Sequence, residues 1–361
     1  MLSRTLNGIA KMTVGMALLS MVSVICGGNV QCQTPTSPSP DPKEMHGGIE
    51  IALRVVRSIA IRVSTSSDGE KISIEDSDQD IPSTPFPRGE KLTPEYIRDL
   101  VQSAQKLSEK MQRDFGVPSH QIYLIGLSEL GVQNRDELAR EVYGKIGKEI
   151  TFLDAKSETE LNIASNIPRR YLQDGKWYDN RSASLLLDIG ATNVRGGYQQ
   201  MRVTSRGRTE YDYVTWDIPI AIKGLLRAEA TQNPGLMMRK NVYLTGNIVW
   251  ALATLLYPGD QEPYVSITLH DINNFHFRAM ADPESLLNPD LSRIRDENVR
   301  KEARKGREAI KSIYTARMLT IAAEDLRSAV TELKLTDKRL TFFRNSNLTR
   351  LHSFVRLQID R

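Results

Sequence analysis

One pattern occurs twice in this chain and narrows its choice of folds more than its composition does: strand, tight turn, two further strands, then helices. In the first copy, residues 48–63 are rich in β-branched side chains and read as a strand, a turn and a second strand. Asp68-Gly69 marks a hairpin turn, and Lys71-Ile-Ser-Ile-Glu75 alternates as the next strand. Thr93 followed by Pro94 opens a helix, with apolar residues at helical spacing to about Gln112. Residues 121–127 read as a buried strand, 134–146 as a helix, 149–153 as a strand, and Ser157 as the cap of another helix. Residues 177–181 read as a polar, aromatic-bearing loop and a boundary. The pattern then restarts with Ser184-Leu-Leu-Leu-Asp-Ile189 and strands over 197–203 and 209–215.

The strand ends carry the residue types that suit a phosphate site. In Asp188-Ile-Gly-Ala-Thr-Asn193, Gly190 lets the backbone turn sharply. The N–H groups of such a turn, with the Thr192 and Asn193 side chains, suit phosphate oxygens. Asp188 suits a divalent cation. Thr245-Gly246 joins a strand to a helix whose N-terminus attracts anions. An ordinary hairpin loop and a plain strand-to-helix junction are the competing readings. The matching turn of the first copy, Glu50-Ile-Ala-Leu-Arg-Val-Val-Arg57, keeps an acid at the strand end but has no glycine. Leu53 and Arg54 either crowd a phosphate there, or Arg54 replaces the backbone donors with a guanidinium.

Other classes are disfavoured. The formal net charge is only +4 and no nucleic-acid-binding motif accompanies it, so nucleic acid is not an expected partner. Both cysteines, Cys26 and Cys32, precede residue 33, which excludes disulfides and thiolate chemistry from the body. Arg4 and Lys11 precede an uncharged apolar stretch ending at Cys26, an export signal or, at that length, an uncleaved anchor. The leader is the only expected membrane contact, and the chain is expected outside the cytoplasm. His270-Asp271 with His276, on an apparent strand and turn, has no standard metal-ligand spacing. Ser128 and Ser184 lack a nucleophile-elbow motif, and residues 301–311 read as a solvated helix face.

The repeated order resembles the duplicated ribonuclease H-like fold of the actin, sugar-kinase and heat-shock chaperone ATPases. Within it, residues 48–350 resemble the exopolyphosphatase and guanosine pentaphosphate phosphatase family. The matching stretches are Leu92-Thr-Pro-Glu95, Ile125-Gly-Leu-Ser-Glu-Leu130 with Asn134, Glu149-Ile-Thr-Phe-Leu-Asp-Ala-Lys-Ser-Glu-Thr-Glu-Leu161 and Leu187-Asp-Ile-Gly190. Fainter matches are Trp216-Asp-Ile-Pro-Ile220, Leu244-Thr-Gly246 and residues 313–326.

The resemblance implies an α/β chain with two ribonuclease H-like (actin-like ATPase) domains and a cleft between them. Its parts are a leader over 1–32, a Pro/Ser/Thr linker over 33–46, domain I over 47–182 and domain II over 183–330. Residues 331–361 add a strand and helix that return to domain I. It implies Glu158 as the catalytic carboxylate orienting water, Mg²⁺ held by Asp188 and Glu50, and phosphate bound by Gly190, Ala191, Thr192, Asn193, Thr245, Gly246 and Arg54. The implied partner is polyphosphate or another phosphorylated anion, and a homodimer is compatible. Three departures touch that site. Ala191-Thr-Asn-Val-Arg195 stands where the family has Gly-Gly-Ser-Thr-Glu, Glu50-Ile-Ala-Leu-Arg54 where it has Asp-x-Gly-Ser-Asn, and Gly131 where it has an arginine. Two functions follow as alternatives: an exported phosphoanhydride hydrolase, with Arg54 or Arg195 supplying the missing charge, or a catalytically degenerate binding module of the cell envelope.

Overall fold

Thr93 and Pro94 begin a long helix as their spacing predicts, and its buried stripe places the first sheet. In the computed structural model, which describes residues 45–360 except 67–68, 85–90, 131–133, 169, 174–175, 191–192, 206, 261 and 345, strands β1 (Met45–Ile51), β2 (Val56–Ser66) and β3 (Gly69–Asp80) come first. Helix α1 (Pro94–Phe115) follows, with the Thr93 side chain accepting from the Tyr96 N–H and Gly116 ending it at φ 67°. Its stripe of Tyr96, Ile97, Leu100, Val101, Ala104, Leu107 and Met111 is buried on β1 and β2. Then come β4 (Ile122–Gly126), α2 (Arg135–Ile146), β5 (Ile150–Phe152) and α3 (Ala155–Asn166). The five strands pair in the order β3-β2-β1-β4-β5, with β1, β4 and β5 parallel.

Two sequence expectations change here. The cap of α3 is Asp154, whose carboxylate accepts from the Ser157 N–H at 2.7 Å, so the helix starts before Ser157. The expected loop at 177–181 is largely a strand: β6 (Arg170–Gln173) and β7 (Lys176–Asp179) form a separate antiparallel pair.

The second half repeats the first. It contains β8 (Ser184–Ile189), β9 (Asn193–Val203), β10 (Thr209–Pro219), α4 (Lys223–Gln232), α5 (Pro234–Met238), β11 (Asn241–Thr245) and α6 (Asn247–Leu256). It continues with β12 (Tyr264–Ile267), α7 (Leu269–Ala281), α8 (Pro283–Leu287), α9 (Glu297–Ile313), α10 (Ala316–Glu332), β13 (Arg339–Phe343) and α11 (Ser346–Ile359). The sheet order β10-β9-β8-β11-β13 reproduces the first sheet, and β12 adds an antiparallel edge.

The halves are interlocked by their last helices. Helix α3 packs on β8, β9 and β10 of the second sheet, while α11 packs on β1, β2 and β4 of the first, and the two helices touch. Glycines permit both crossings. A Cβ at Gly48 would lie 2.6 Å from Val355 of α11, and one at Gly197 would lie 2.8 Å from Ile163 of α3. A larger residue at either position would force the facing atoms to shift. The described residues accordingly form one compact unit.

A candidate site closed by arginines

β1 and β8 both run toward the middle of the molecule and end on a carboxylate, Glu50 and Asp188. The crossing helices bring Glu158 of α3 and Arg350 of α11 to the same place. Arg350 Nε donates to Glu50 Oε2 and its Nη1 to Glu158 Oε1, both at 2.9 Å. Arg57 Nη1 fills the other oxygen of Glu50 at 2.8 Å. Glu158 Oε2 accepts from the Ser128 hydroxyl at 2.6 Å, the Ser128 N–H at 3.1 Å and Arg195 Nη1 at 3.2 Å. Arg195 Nε continues the chain to Asp217 Oδ2 at 3.2 Å. Glu50, Glu158 and Arg350 are 0%, 3% and 4% exposed, so this is a core ion network.

Its electrostatics follow from the pairing. Burial alone would raise the Glu50 carboxyl, but the Arg350 and Arg57 guanidiniums outweigh it and hold the group below the usual glutamate range. Burial likewise disfavours the Arg350 cation, yet Glu50 and Glu158 more than compensate and its pKa rises. Asp188 behaves in the opposite way. It is half-buried at the end of β8. Burial and the charge of Glu158 raise its pKa, against a smaller pull from Arg350 and Arg195.

The two turns differ in shape as well as charge. In the first, the Ala52 N–H is used by Val55 O at 3.0 Å and the Leu53 N–H by Glu129 Oε1 at 2.9 Å. The Leu53 carbonyl accepts the Tyr96 hydroxyl. Arg54 is exposed and close enough to Tyr96 and Tyr314 to act on both hydroxyls. In the second turn the Gly190 N–H is bound by Asn193 O at 2.9 Å, and the Asn193 amide donates to Asp217. Ala191 and Thr192, like Gly131, lie outside the described residues. Thr245 is buried opposite Asp188 in the β8–β11 register. Gly246, at φ 105°, presses on the same strand end: a Cβ there would lie 2.3 Å from Ile189 O and 2.9 Å from Asp188 Oδ1. The Asp188 carboxyl thus fronts the α6 N-terminus, where a bound anion would otherwise sit.

Sequence reasoning placed Glu50, Glu158, Asp188, Gly190, Asn193, Thr245 and Gly246 around this centre, whereas Arg54 stands at the surface. It missed the organiser, Arg350, and the parts played by Arg57 and Ser128. One signal was available for Arg350: it occupies a position on the buried stripe of α11 with Ser346, Leu351, Phe354 and Val355. The weak metal candidate is elsewhere and is otherwise employed. His270, Asp271 and His276 lie on helix α7, not on a strand and turn. Asp271 completes a capping box with Thr268, and His276 Nε2 is 2.7 Å from Glu324.

Mg²⁺ does not fit at Glu50. Both Glu50 oxygens face guanidiniums, and a divalent cation placed there would meet two positive charges in place of open lone pairs. Among the described residues no three His, Cys, Asp or Glu side chains form a group suited to a metal. A cavity of about 290 Å³ beside the network has Arg135 and Arg195 balanced by Asp154 and Asp217 in its lining.

Neither a family model nor a curated relative matches this sequence. Solved structures do. A Ppx/GppA family member from Aquifex aeolicus superposes with a TM-score of 0.56 at 13% identity, covering 88% of this chain and 99% of that one. An exopolyphosphatase from Cytophaga hutchinsonii gives 0.56 at 11% identity, over 86% of this chain and 98% of its own. An exopolyphosphatase-like protein gives 0.52 at 11%, over 83% and 93%. The chain therefore has the duplicated, actin-like fold of those proteins, as the resemblance read from its residues implies.

Proposed function

We infer that this chain uses an exopolyphosphatase-type fold as a binding module, without turning a substrate over. The observation that carries this reading is the hydrogen bonding of Glu158. Every donor around it, namely Ser128, Arg195 and Arg350, is already directed at its two oxygens. With these donors on both oxygens and the residue 3% exposed, the carboxylate has little room to hold and orient an attacking water. The charge balance argues the same way. Glu50, Glu158 and Asp217 neutralise Arg57, Arg195 and Arg350, which leaves no surplus positive charge for a polyanion. Phosphoryl transfer depends on such a surplus and on open donors. The leader read from residues 1–32 would display the module outside the cytoplasm; N-terminal sequencing of the mature chain tests that.

The reading is tested by incubating full-length protein with Mg²⁺ and polyphosphate, nucleoside triphosphates or guanosine pentaphosphate, then assaying released phosphate. No release above buffer is expected. Release that disappears in Glu158→Gln would overturn the reading in favour of the exopolyphosphatase-like hydrolase.

A further inference from the structure

A cavity of about 250 Å³ lies where β12 ends and β13 begins. The two strands pair as far as Ile267 and Leu340. Beyond that pair one chain turns into α7 and the other arrives from α10, which leaves an opening between them. β8, β11 and β13 run parallel, so the start of β13 is at the opposite end of the second sheet from Asp188. The cavity is therefore separate from the arginine-closed centre.

Its charge differs from that of the cavity beside Glu158, where two arginines meet two aspartates. Lys338 and Arg339 line it, and among the described residues no acidic side chain does. The Arg339 guanidinium is exposed and has no hydrogen bond or ion pair among the described residues. Lys338 Nζ donates to Met237 O at 3.1 Å and to Arg239 O at 2.9 Å, partners that carry no charge. Partial burial lowers the Lys338 pKa, against a weaker pull from exposed Asp337. The other acid nearby, Asp271, is already engaged by the Thr268 N–H and hydroxyl and by the Tyr257 hydroxyl. Exposed Lys240, whose carbonyl accepts the Arg339 N–H, adds a further positive charge at this sheet end. The rest of the wall is apolar at Leu269, Leu335 and Leu340 and carries the Ser266 and Thr336 hydroxyls.

We propose that this cavity is a binding site for a small carboxylate with an apolar body. Arg339 offers a planar pair of N–H groups that matches a carboxylate in two bonds. Lys338 supplies a second positive charge that no protein acid neutralises directly. The apolar body of the ligand covers the leucines, in the usual division of a small-molecule site between an apolar wall and a few polar anchors. Inorganic phosphate fits less well, because it brings charge but nothing to lay against that wall.

The test is independent of the binding-module reading, since phosphate release from polyphosphate would overturn that reading without changing this measurement. Full-length, isotope-labelled protein is titrated with sodium hexanoate at constant ionic strength, and backbone amide shifts are followed by NMR. Saturable shifts centred on 266–269 and 336–340 are expected. Hexanamide, the uncharged isostere, and inorganic phosphate should each bind at least tenfold more weakly. Arg339→Gln changes one exposed side chain, so its melting temperature should match the parent while its hexanoate affinity drops at least fivefold. Equal binding of hexanamide, undiminished binding by the variant, or shifts centred elsewhere would each overturn the proposal. So would phosphate binding as tight as hexanoate, since the leucine wall would then contribute nothing.

Discussion

The β1–β2 and β8–β9 turns occupy equivalent places in the two halves, yet their strand-end acids are held in opposite ways. Glu50 is ionised, buried and gripped by two arginines, and the Ala52 and Leu53 N–H groups of its turn are taken up by Val55 and Glu129. Asp188 has no guanidinium within hydrogen-bond distance among the described partners, and burial pushes its carboxyl toward the protonated form. A duplicated fold copies backbone geometry faithfully. It does not copy charge: α11 brings the Arg350 guanidinium to Glu50, whereas α3, the corresponding helix on the second sheet, brings the Glu158 carboxylate toward Asp188.

The largest test of that asymmetry is Glu50→Ala. It strands Arg57 and Arg350 in the core and should cost about 3–5 kcal/mol, the usual penalty for breaking a buried pair. Asp188→Asn should cost less, about 1 kcal/mol, since Asp188 acts on Arg350 and Arg195 only through space and neither guanidinium is hydrogen-bonded to it among the described contacts. Urea denaturation of both variants measures the difference, and equal losses would erase the distinction between the halves.

Gly246→Ala comes next. The positive φ and the 2.3 Å approach to Ile189 O act together, so about 3 kcal/mol or more is expected. At Gly190 the added Cβ would meet Asn193 at 3.2 Å without a positive φ, and about 1 kcal/mol is expected. Thermal melting of the two variants gives the order.

The acids should also separate by pH. The Glu50 pKa is depressed on folding, so its contribution is present above the unfolded value of roughly 4.3 and is lost as pH falls through the folded one. The penalty of Glu50→Gln should therefore shrink on acidification. The Asp188 pKa is raised, so its contribution is full below roughly 3.9 and declines as pH rises through the folded value. Asp188→Asn should thus gain on the parent as pH rises. Denaturation series from acid to neutral pH read both slopes, and parallel slopes would contradict the electrostatic contrast.

The smallest effect concerns the helix crossing itself. The Thr349 hydroxyl donates to Asn166 Oδ1 at 2.7 Å, joining α11 to α3. Thr349→Val should cost about 1 kcal/mol in the same denaturation assay. No loss would mean that packing and the Arg350 bridge alone hold the crossing.

Much of this architecture is legible from residue order. The β-branched run over 48–63, the triple-Leu strand at β8, the Thr93-Pro94 cap and the repeated strand–turn–strand pattern depend on neighbours within a few residues, and these define strands and helices directly. Short segments are less readable. Among the described residues β6 and β7 pair only with each other, and their polar, aromatic sequence resembles a loop. The α3 start was displaced because Asp154 and Ser157 both suit a cap, and the choice depends on where Leu153 leaves β5.

The centre of the molecule divides along the same line. The sequence by itself determined that Glu50 and Asp188 end equivalent strands, that Glu158 stands in the first turn of a helix, and that Gly246 opens another. Only the tertiary structure decided what those acids meet. Arg350 is 192 residues from Glu158 in the chain, and it arrives because α3 and α11 exchange sheets across Gly48 and Gly197. Local patterning carries no information about such a meeting, since the free energy of a buried ion pair depends on partners supplied by packing.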